Sequence, residues 1–244
     1  MHLSIDLNCD LGEGAGCDAG LMPLITSANI ACGAHAGDEA TMRATVVLAR
    51  EHGVAVGAHP GFADRVNFGR EERDLSACAL HDLVSWQIEA LRELGPLRHV
   101  KPHGALYNMA ARDRAVAEVI AEAVYECDRN LVLFGLAGGE LVQAGQAKGL
   151  RVVNEVFADR TYQADGSLTP RSHSGALITD EAVAVMQVIR MVREGVVRAT
   201  DGTEVSVVAD TVCLHGDSLH AVRFARRLGV ELRAAGIALK EWGT

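Results

Sequence analysis

The chain has 244 residues, of which 49% are hydrophobic and 23% are charged, and its formal net charge is −9. This hydrophobic fraction is enough for a substantial buried core. Single α/β barrels often reach about 250 residues, so we predict one domain over residues 1–244. The acidic balance, with no run of Lys or Arg, argues against nucleic acid or an anionic membrane as the partner. A small-molecule ligand is expected instead.

The amino terminus lacks a basic segment followed by a long apolar stretch, and no segment reaches about 18 consecutive apolar residues. We therefore expect a soluble, cytoplasmic protein. The six cysteines are scattered and never show Cys-x-x-Cys spacing, which is typical of reduced thiols. Cys9, Cys32 and Cys213 fall near predicted strand ends, where we expect packing residues rather than nucleophiles.

Strand-like and helix-like segments alternate along the chain. Short apolar, β-branched runs predict seven strands, at residues 3–9, 27–32, 54–58, 99–101, 131–136, 151–156 and 211–214. Amphipathic stretches predict helices at residues 38–51, 76–94, 113–127, 139–148, 180–194 and 217–235. Side-chain caps are expected where several of these helices begin, at Asp38, Ser76, Asp180 and Asp217.

Alternating strands and helices predict a mostly parallel sheet. Nearly every predicted strand ends in polar residues, and this favours a closed barrel over an open sheet, because a barrel directs all its loops toward one axis. The expected fold is therefore an α/β, irregular, seven-stranded (β/α) barrel. Residues 196–208 alternate in hydrophobicity around Asp201-Gly202, which predicts a β-hairpin inserted before the last strand.

Four histidines occupy similar positions after predicted strands, each close to a glycine or proline: His35, His59, His103 and His215. A lone histidine is more often structural, but four at equivalent strand ends predict one shared site. Histidines in predicted helices or at the terminus are interpreted as structural or surface residues.

Carboxylates accompany these histidines at the strand ends, at Asp6, Asp10, Glu13, Asp38, Asp64, Glu155, Asp159 and Asp217. Helix capping is the alternative explanation for Asp38 and Asp217. Asn8, Asp10 and Glu155 have no evident capping role, and a buried strand-end carboxylate needs a partner, so we predict that these three are functional.

Two kinds of chemistry remain open for this set of residues. Imidazole and carboxylate groups together suit a divalent metal ion, with Asp10, His35, His59 and His103 as candidate ligands. The same groups can act without metal as general acid and base, with Lys101 or Arg160 holding a carboxylate or phosphate. Residues 135–140 are glycine-rich but lack the lysine and hydroxyl of a P-loop.

Six stretches of the chain, between Ile5 and about Ala235, resemble the LamB/YcsF family. They are DLNCDLGE at 6–13, SANIACGAHAGD at 27–38, GAHPG at 57–61, VKPHGALYN at 100–108, EVFADR at 155–160 and CLHGD at 213–217. Two positions depart from the family pattern: Ala34 replaces a bulky residue before the histidine, and Glu71 stands where a second arginine is common.

The resemblance implies an irregular β/α barrel of the glycoside hydrolase/deacetylase type. It also implies an ATP-hydrolysing 5-oxoprolinase, which opens 5-oxo-L-proline to L-glutamate with two partner subunits, PxpB and PxpC. Whether this chain or a partner subunit binds ATP stays open. The alternatives are a stand-alone metal-dependent deacetylase or amidohydrolase, and a non-catalytic 5-oxoproline-binding subunit.

Site residues follow as hypotheses from the strand ends and the resemblance together. The expected catalytic residues are Asp10, Glu13, His59, Lys101, His103, Glu155, Asp159, Arg160 and His215. The expected substrate-binding residues are Asn8, Asn29, His35, Asp38, Asn108 and Asp217. Within these sets Asp10 or Glu155 is the expected base, the histidines are donors or metal ligands, and Lys101 and Arg160 hold anions.

Overall fold

Seven parallel strands close into a barrel in the computed structural model, which describes residues 3–215 and 220–243, with only the backbone of His215. The described residues contain these seven strands and three others. In chain order the strands are β1 (Leu3–Leu11), β2 (Ser27–Ala31), β3 (Ala55–His59), β4 (His99–Val100), β5 (Val132–Leu136), β6 (Arg151–Phe157), β7 (Val196–Arg198), β8 (Glu204–Ser206), β9 (Thr211–His215) and β10 (Ile237–Leu239). The three others are β7, β8 and β10. The order β1-β2-β3-β4-β5-β6-β9 closes because β9 also pairs with β1. The predicted barrel and its seven strands are confirmed.

Helices cover the outside of the barrel. They are α1 (Asp18–Leu21), α2 (Glu39–Glu51), α3 (Ala77–Arg92), α4 (Gly104–Arg112), α5 (Arg114–Cys127), α6 (Glu140–Lys148), α7 (Glu181–Glu194) and α8 (Ala221–Ala234). The predicted caps Asp38, Ser76 and Asp180 each accept a hydrogen bond from the first turn of their helix. Helix α8 begins at Ala221, later than the predicted 217, and its predicted cap Asp217 lies outside the described residues.

The barrel has two additions, the β7–β8 hairpin and strand β10, and only the hairpin was predicted from the sequence. The predicted hairpin is confirmed: β7 and β8 pair antiparallel, with Val197 opposite Val205, and the turn contains Gly202 at φ 92°. Strand β10, which has three residues, was not predicted. It pairs with the first residues of β1, below the part that pairs with β9. Across the described part of the chain, no helix has the length and apolar character needed to cross a bilayer.

The pleat of β1 separates an apolar layer from a polar barrel interior. Side chains alternate across a strand, so Leu7 and Cys9 face the helices and belong to the main hydrophobic core. Asp6, Asn8 and Asp10 occupy the other face and are almost completely buried. The Asp6 carboxylate accepts hydrogen bonds from hydroxyl groups of β2 and β9. Barrel interiors of this type are usually filled with branched aliphatic side chains. Here the interior is instead polar, and it leads directly to the site.

Close packing between β3 and β4 depends on a glycine. A Cβ at Gly57 would lie 2.1 Å from Nε2 of His99. That nitrogen is 2.8 Å from Oδ1 of Asn29, and the ring stacks on Phe134. We therefore expect Gly57→Ala to lower the free energy of unfolding by about 1–3 kcal/mol in urea denaturation, because the imidazole must move.

Gly229→Ala is the matched control, because the same methyl group there meets atoms only at 3.4 Å, an ordinary contact within helix α8. Alanine also favours helix, so we expect unchanged or slightly higher stability. If Gly57→Ala proved as stable as Gly229→Ala, the packing of His99 against β3 would be wrong.

His99 also makes a prediction for acid stability, since burial lowers its pKa to about 3. Below the ordinary value of 6.5 the unfolded chain binds a proton that the folded chain does not. The free energy of unfolding is therefore highest above pH 6.5, and it decreases as the pH falls toward the folded-state pKa of His99. We expect His99→Gln, which still donates to Asn29, to flatten this decline by up to about 1.4 kcal/mol per pH unit. Urea denaturation at a series of acidic pH values measures the slope; an unchanged slope would count against a neutral, buried His99.

Candidate functional site

An ammonium group between two carboxylates lies at the centre of the barrel mouth. Nζ of Lys101 is 2.8 Å from Oδ1 of Asp10 and 3.0 Å from Oε1 of Glu155. Lys101 is only 2% exposed. Burial alone would lower the pKa of Lys101, but the nearby acidic groups, first Asp10, raise it well above its ordinary value. Lys101 is therefore a charged group that neutralises its neighbours.

Two buried amides orient these carboxylates. Nδ2 of Asn8 donates to Oε1 of Glu155 at 2.9 Å, and Nδ2 of Asn29 donates to Oδ1 of Asp10 at 2.8 Å. Nδ2 of Asn29 also donates to Oδ1 of Asn8 at 2.7 Å, which joins the two pairs. Hydrogen bonds of this kind hold the carboxylate oxygens in one position. Both asparagines are fully buried, so in this structure their side chains contact the carboxylates rather than the cavity.

Three histidines and Glu13 form a second cluster above the carboxylates. His59 is the last residue of β3, His103 directly precedes α4, and His35 and Glu13 lie in the loops after β2 and β1. The rings of His35 and His103 stack with 3.8 Å between their centroids. Gly69 permits this approach, because a Cβ there would lie 2.9 Å from Cβ of His35.

The histidines differ in their affinity for protons. Burial lowers the pKa of His35 and lowers that of His103 well below its usual range. Burial also acts on His59, but the carboxylate of Asp10, with Oδ2 3.4 Å from Nε2 of His59, contributes to a net rise in its pKa. His59 is therefore the imidazole of the cluster that holds a proton most readily.

A cavity of about 950 Å³ opens above both clusters. The two clusters contribute Asp10, Glu13, His59, Lys101 and His103 to its lining. Its walls and mouth include Arg70, Tyr107, Asn108, Phe157, Arg160 and Arg171. The cavity therefore combines carboxylate and imidazole groups at its floor with guanidinium groups higher up, which suits acid–base chemistry on an anionic ligand.

The structure separates the residues predicted from the sequence into three groups. Asp10, Glu13, His59, Lys101, His103, Asn108 and Arg160 line the cavity. Asn8, Asn29, His35 and Glu155 are buried directly behind this lining. Two of the remaining candidates, Asp38 and Asp159, do not line the cavity. Asp38 is exposed and caps α2, Asp159 is partly buried, and the side chain of His215 and all of Asp217 lie outside the described residues.

Several residues of the site were not predicted. Tyr107 lines the cavity from α4, a helix that was not predicted. Thr211 accepts a hydrogen bond from Nδ2 of Asn8 at 2.8 Å. Sγ of Cys213 lies 3.1 Å from Nζ of Lys101, and burial raises the pKa of this thiol well above its usual range. The expectation that Cys213 packs rather than attacks agrees with that shift.

The charge balance at the floor predicts the effect of removing Lys101. Lys101→Met keeps the length of the side chain but leaves Asp10 and Glu155 buried without their cation. We expect the free energy of unfolding to fall by about 3–5 kcal/mol near neutral pH, measured by urea denaturation. Lys148→Met is the control, because it removes a half-exposed ion pair with Glu122 and should cost less than about 1 kcal/mol. Similar losses in both variants would argue against the central role of Lys101.

Comparison with known proteins places this geometry in a family. The sequence matches the LamB/YcsF family over residues 5–244. It is 56% identical to the A subunit of 5-oxoprolinase from Geobacillus thermodenitrificans (strain NG80-2), over 97% of this chain and 96% of that protein. It is 55% identical to the A subunit of 5-oxoprolinase from Bacillus subtilis (strain 168), over 96% of this chain and 95% of that protein.

A solved structure shows the same architecture. The crystal structure of the lactam utilization protein from Thermus thermophilus superposes with a TM-score of 0.91 at 45% sequence identity. The match covers 98% of this chain and 100% of the other. Sequence and fold therefore agree over nearly the full length, and the chain belongs to the LamB/YcsF family.

Proposed function

We propose that this chain is the A subunit of an ATP-hydrolysing 5-oxoprolinase. The reaction opens the lactam ring of 5-oxo-L-proline to give L-glutamate and converts ATP to ADP and phosphate. The observation that carries the proposal is identity of 55–56% over almost the whole chain with proteins named as the A subunit of 5-oxoprolinase. The cavity supports the proposal independently, because it joins a carboxylate, imidazole and guanidinium groups in one space.

The size and charge of the cavity suit this substrate together with a phosphate group. Ligand cavities usually measure about 300–1,000 Å³, and this cavity, at about 950 Å³, is larger than a five-membered lactam requires. Arg160 is the proposed partner of an anionic group. Its guanidinium is buried and donates to the carbonyl oxygen of Thr169 at 2.6 Å, while Nε has no hydrogen-bond partner among the described residues. Burial lowers the pKa of Arg160 only to about 10, so it stays charged at neutral pH.

Asp10 is the better of the two candidate bases. Asp10 lines the cavity, whereas Glu155 is fully buried behind it and contacts Lys101 and Asn8. A general base must come within hydrogen-bond distance of the water that it activates. We therefore assign proton abstraction to Asp10 and assign Glu155 the role of positioning Lys101.

Coupling to ATP has a chemical reason, since a lactam is a stabilised amide. Transfer of the γ-phosphoryl group to the lactam oxygen releases ADP and makes the ring carbon electrophilic. Water then adds to this carbon as Asp10 takes its proton, and the ring C–N bond breaks as the nitrogen is protonated. Asp10, which holds the proton taken from the water, is the proposed donor of that proton to the ring nitrogen. A second water hydrolyses the resulting acyl phosphate to L-glutamate and phosphate.

The proposal includes partners and a compartment. The chain works in the cytoplasm with PxpB and PxpC, and ATP is bound by this chain or by one of them. Its relatives are named as one lettered subunit of an enzyme, which supports a multi-subunit assembly.

Reconstitution of the three subunits tests this function. The measurement is ATP hydrolysis that depends on 5-oxoproline, with glutamate as the second product. We expect Asp10→Asn, which keeps the shape of the side chain, to lower kcat by about 10²–10⁴-fold. Asp201→Asn, in the turn of the β7–β8 hairpin, is the control and should retain wild-type turnover.

Three outcomes distinguish the alternatives. Turnover only in the complex, lost in Asp10→Asn, is expected. Amide hydrolysis by the isolated chain without ATP would indicate a stand-alone amidohydrolase. Binding of 5-oxoproline with full turnover in a folded Asp10→Asn complex would reduce this chain to a binding role and contradict the proposed role of Asp10.

A further inference from the structure

Nε2 of His59 and Nδ1 of His103 face each other at the floor of the cavity. When both rings are neutral, neither of these two nitrogens carries a hydrogen. Nδ1 of His59 lies 2.7 Å from the carbonyl oxygen of Lys101, and Nε2 of His103 lies 2.9 Å from that of Phe68. A carbonyl oxygen only accepts, so both nitrogens carry the ring proton. The other two nitrogens, Nε2 of His59 and Nδ1 of His103, are 2.9 Å apart. Both lone pairs therefore point into the same small space.

Glu13 adds a carboxylate oxygen to this space. Its Oε1 lies 3.3 Å from Nδ1 of His103 and 3.9 Å from Nε2 of His59. Four ligands placed tetrahedrally at 2.0–2.1 Å from an ion are about 3.3 Å apart. The three observed separations, 2.9, 3.3 and 3.9 Å, are centred on that value.

Ring orientation decides which imidazoles can share one ion. A bound ion lies near the plane of every ring that binds it. The planes of His59 and His103 meet at 84°, so one point can lie in both. His35 is parallel to His103 within 1°, with 3.8 Å between ring centroids, so no point lies in both of those planes. His35 therefore supports the cluster by stacking and by its 3.2 Å contact with Glu13.

The surroundings also suit a metal ion. Histidine ligands usually donate their second N–H to a carbonyl or carboxylate oxygen, which fixes the ring. The carbonyls of Lys101 and Phe68 do this for His59 and His103. Glu13, His59 and His103 all line the cavity, whereas His35 is buried behind them. Catalytic zinc sites have this arrangement, in which three protein ligands hold the ion and one coordination position is open to a cavity.

We propose that Glu13, His59 and His103 bind one divalent transition-metal ion, with Zn²⁺ and Co²⁺ as the closest matches to this set of nitrogen and oxygen ligands. The assignment replaces two of the ligands expected from the sequence. Glu13 takes the place of His35, which stacks, and of Asp10, whose Oδ1 is engaged by Lys101 and Asn29. The proposal goes beyond the oxoprolinase activity and does not depend on it.

Metal binding by the full chain tests the proposal without substrate, ATP or partners. The metal-free protein is titrated with Zn²⁺ in a calorimeter and with Co²⁺ by visible absorption, which reports the coordination of the ion. We expect one equivalent to bind to the wild type. His103→Phe and Glu13→Gln each remove a ligand and should weaken binding by at least about 100-fold.

His35→Phe is the matched control, because phenylalanine keeps the stacked ring but carries no nitrogen. It should change the affinity by less than about tenfold, as expected for a residue outside the ligand set. The exposed thiol of Cys78 is present in every variant, so metal bound there contributes the same background. Circular dichroism of the metal-free proteins verifies folding, and Glu13→Gln gives a second test in case His103→Phe does not fold.

Two results would overturn the proposal. In the first, the wild-type chain binds neither Zn²⁺ nor Co²⁺. In the second, it binds them with the same affinity as folded His103→Phe and Glu13→Gln. Nε2 of His59 and Nδ1 of His103, 2.9 Å apart, would then share a proton instead of an ion. Equal losses in folded His35→Phe and His103→Phe would overturn the ligand assignment. These outcomes are independent of the reconstituted assay, so failure of the metal site and failure of the proposed reaction are distinguishable.

Discussion

The architecture of the site depends on one residue, Lys101, through both its side chain and its backbone. The ammonium group lies within 3.0 Å of Asp10 and Glu155, which would otherwise face each other as two buried carboxylates. The carbonyl oxygen of the same residue accepts the N–H of His59 at 2.7 Å. A single position on the chain therefore balances the charge below the cavity and fixes a ring of the cluster above it. A buried ion pair of this kind is costly to form, and its value here lies in the positions that it imposes.

Strand β1 supplies the other half of this arrangement. Its inward face presents Asp6, Asn8 and Asp10 at successive levels of the barrel. Asp6 is hydrogen-bonded to β2 and β9, Asn8 to β6, and Asp10 to β2. Groups placed on paired strands are held more precisely than groups on loops. The polar interior of the barrel thus acts as a support for the carboxylate of Asp10, the proposed base. Its apolar partners on the same strand secure β1 against the helices, so one strand joins the hydrophobic core to the site.

Much of the fold could be predicted because its signals are local. Six of the seven barrel strands have five or more residues, and these strands and the long amphipathic helices show their period in the sequence. Strand β4 has two residues and was predicted from its position just before the polar strand end at Lys101–Gly104. Helix α4 was missed because it ends directly at Asp113, the cap of α5, so the sequence marks only the second helix. Strand β10 was missed because no polar strand end or turn pair marks its three residues.

The site was predictable in position but only partly in function. The strand ends predicted that His35, His59 and His103 lie close together, and the structure shows them so, since barrel strands all open on one face. Sequence could not separate residues that line the cavity from those behind it, because this depends on closure of the barrel and on the direction of each side chain. Asn29 was predicted to bind substrate and Glu155 to act as a catalytic residue, and the structure places both behind the cavity lining. The parallel stacking of His35 on His103 is likewise a three-dimensional fact without a sequence signal.

The charge state of Lys101 is the most direct test of this account. The chain has only three lysines, Lys101, Lys148 and Lys240, so labelling lysine with ¹³C and ¹⁵N gives three assignable side-chain signals in NMR spectra. Because the two carboxylates hold the pKa of Lys101 well above its ordinary value of 10.5, its signal should still be that of an ammonium group at pH 10.5. A Lys101 signal that is half neutral at or below that pH would contradict the account, since the barrel interior would then lack its balancing charge.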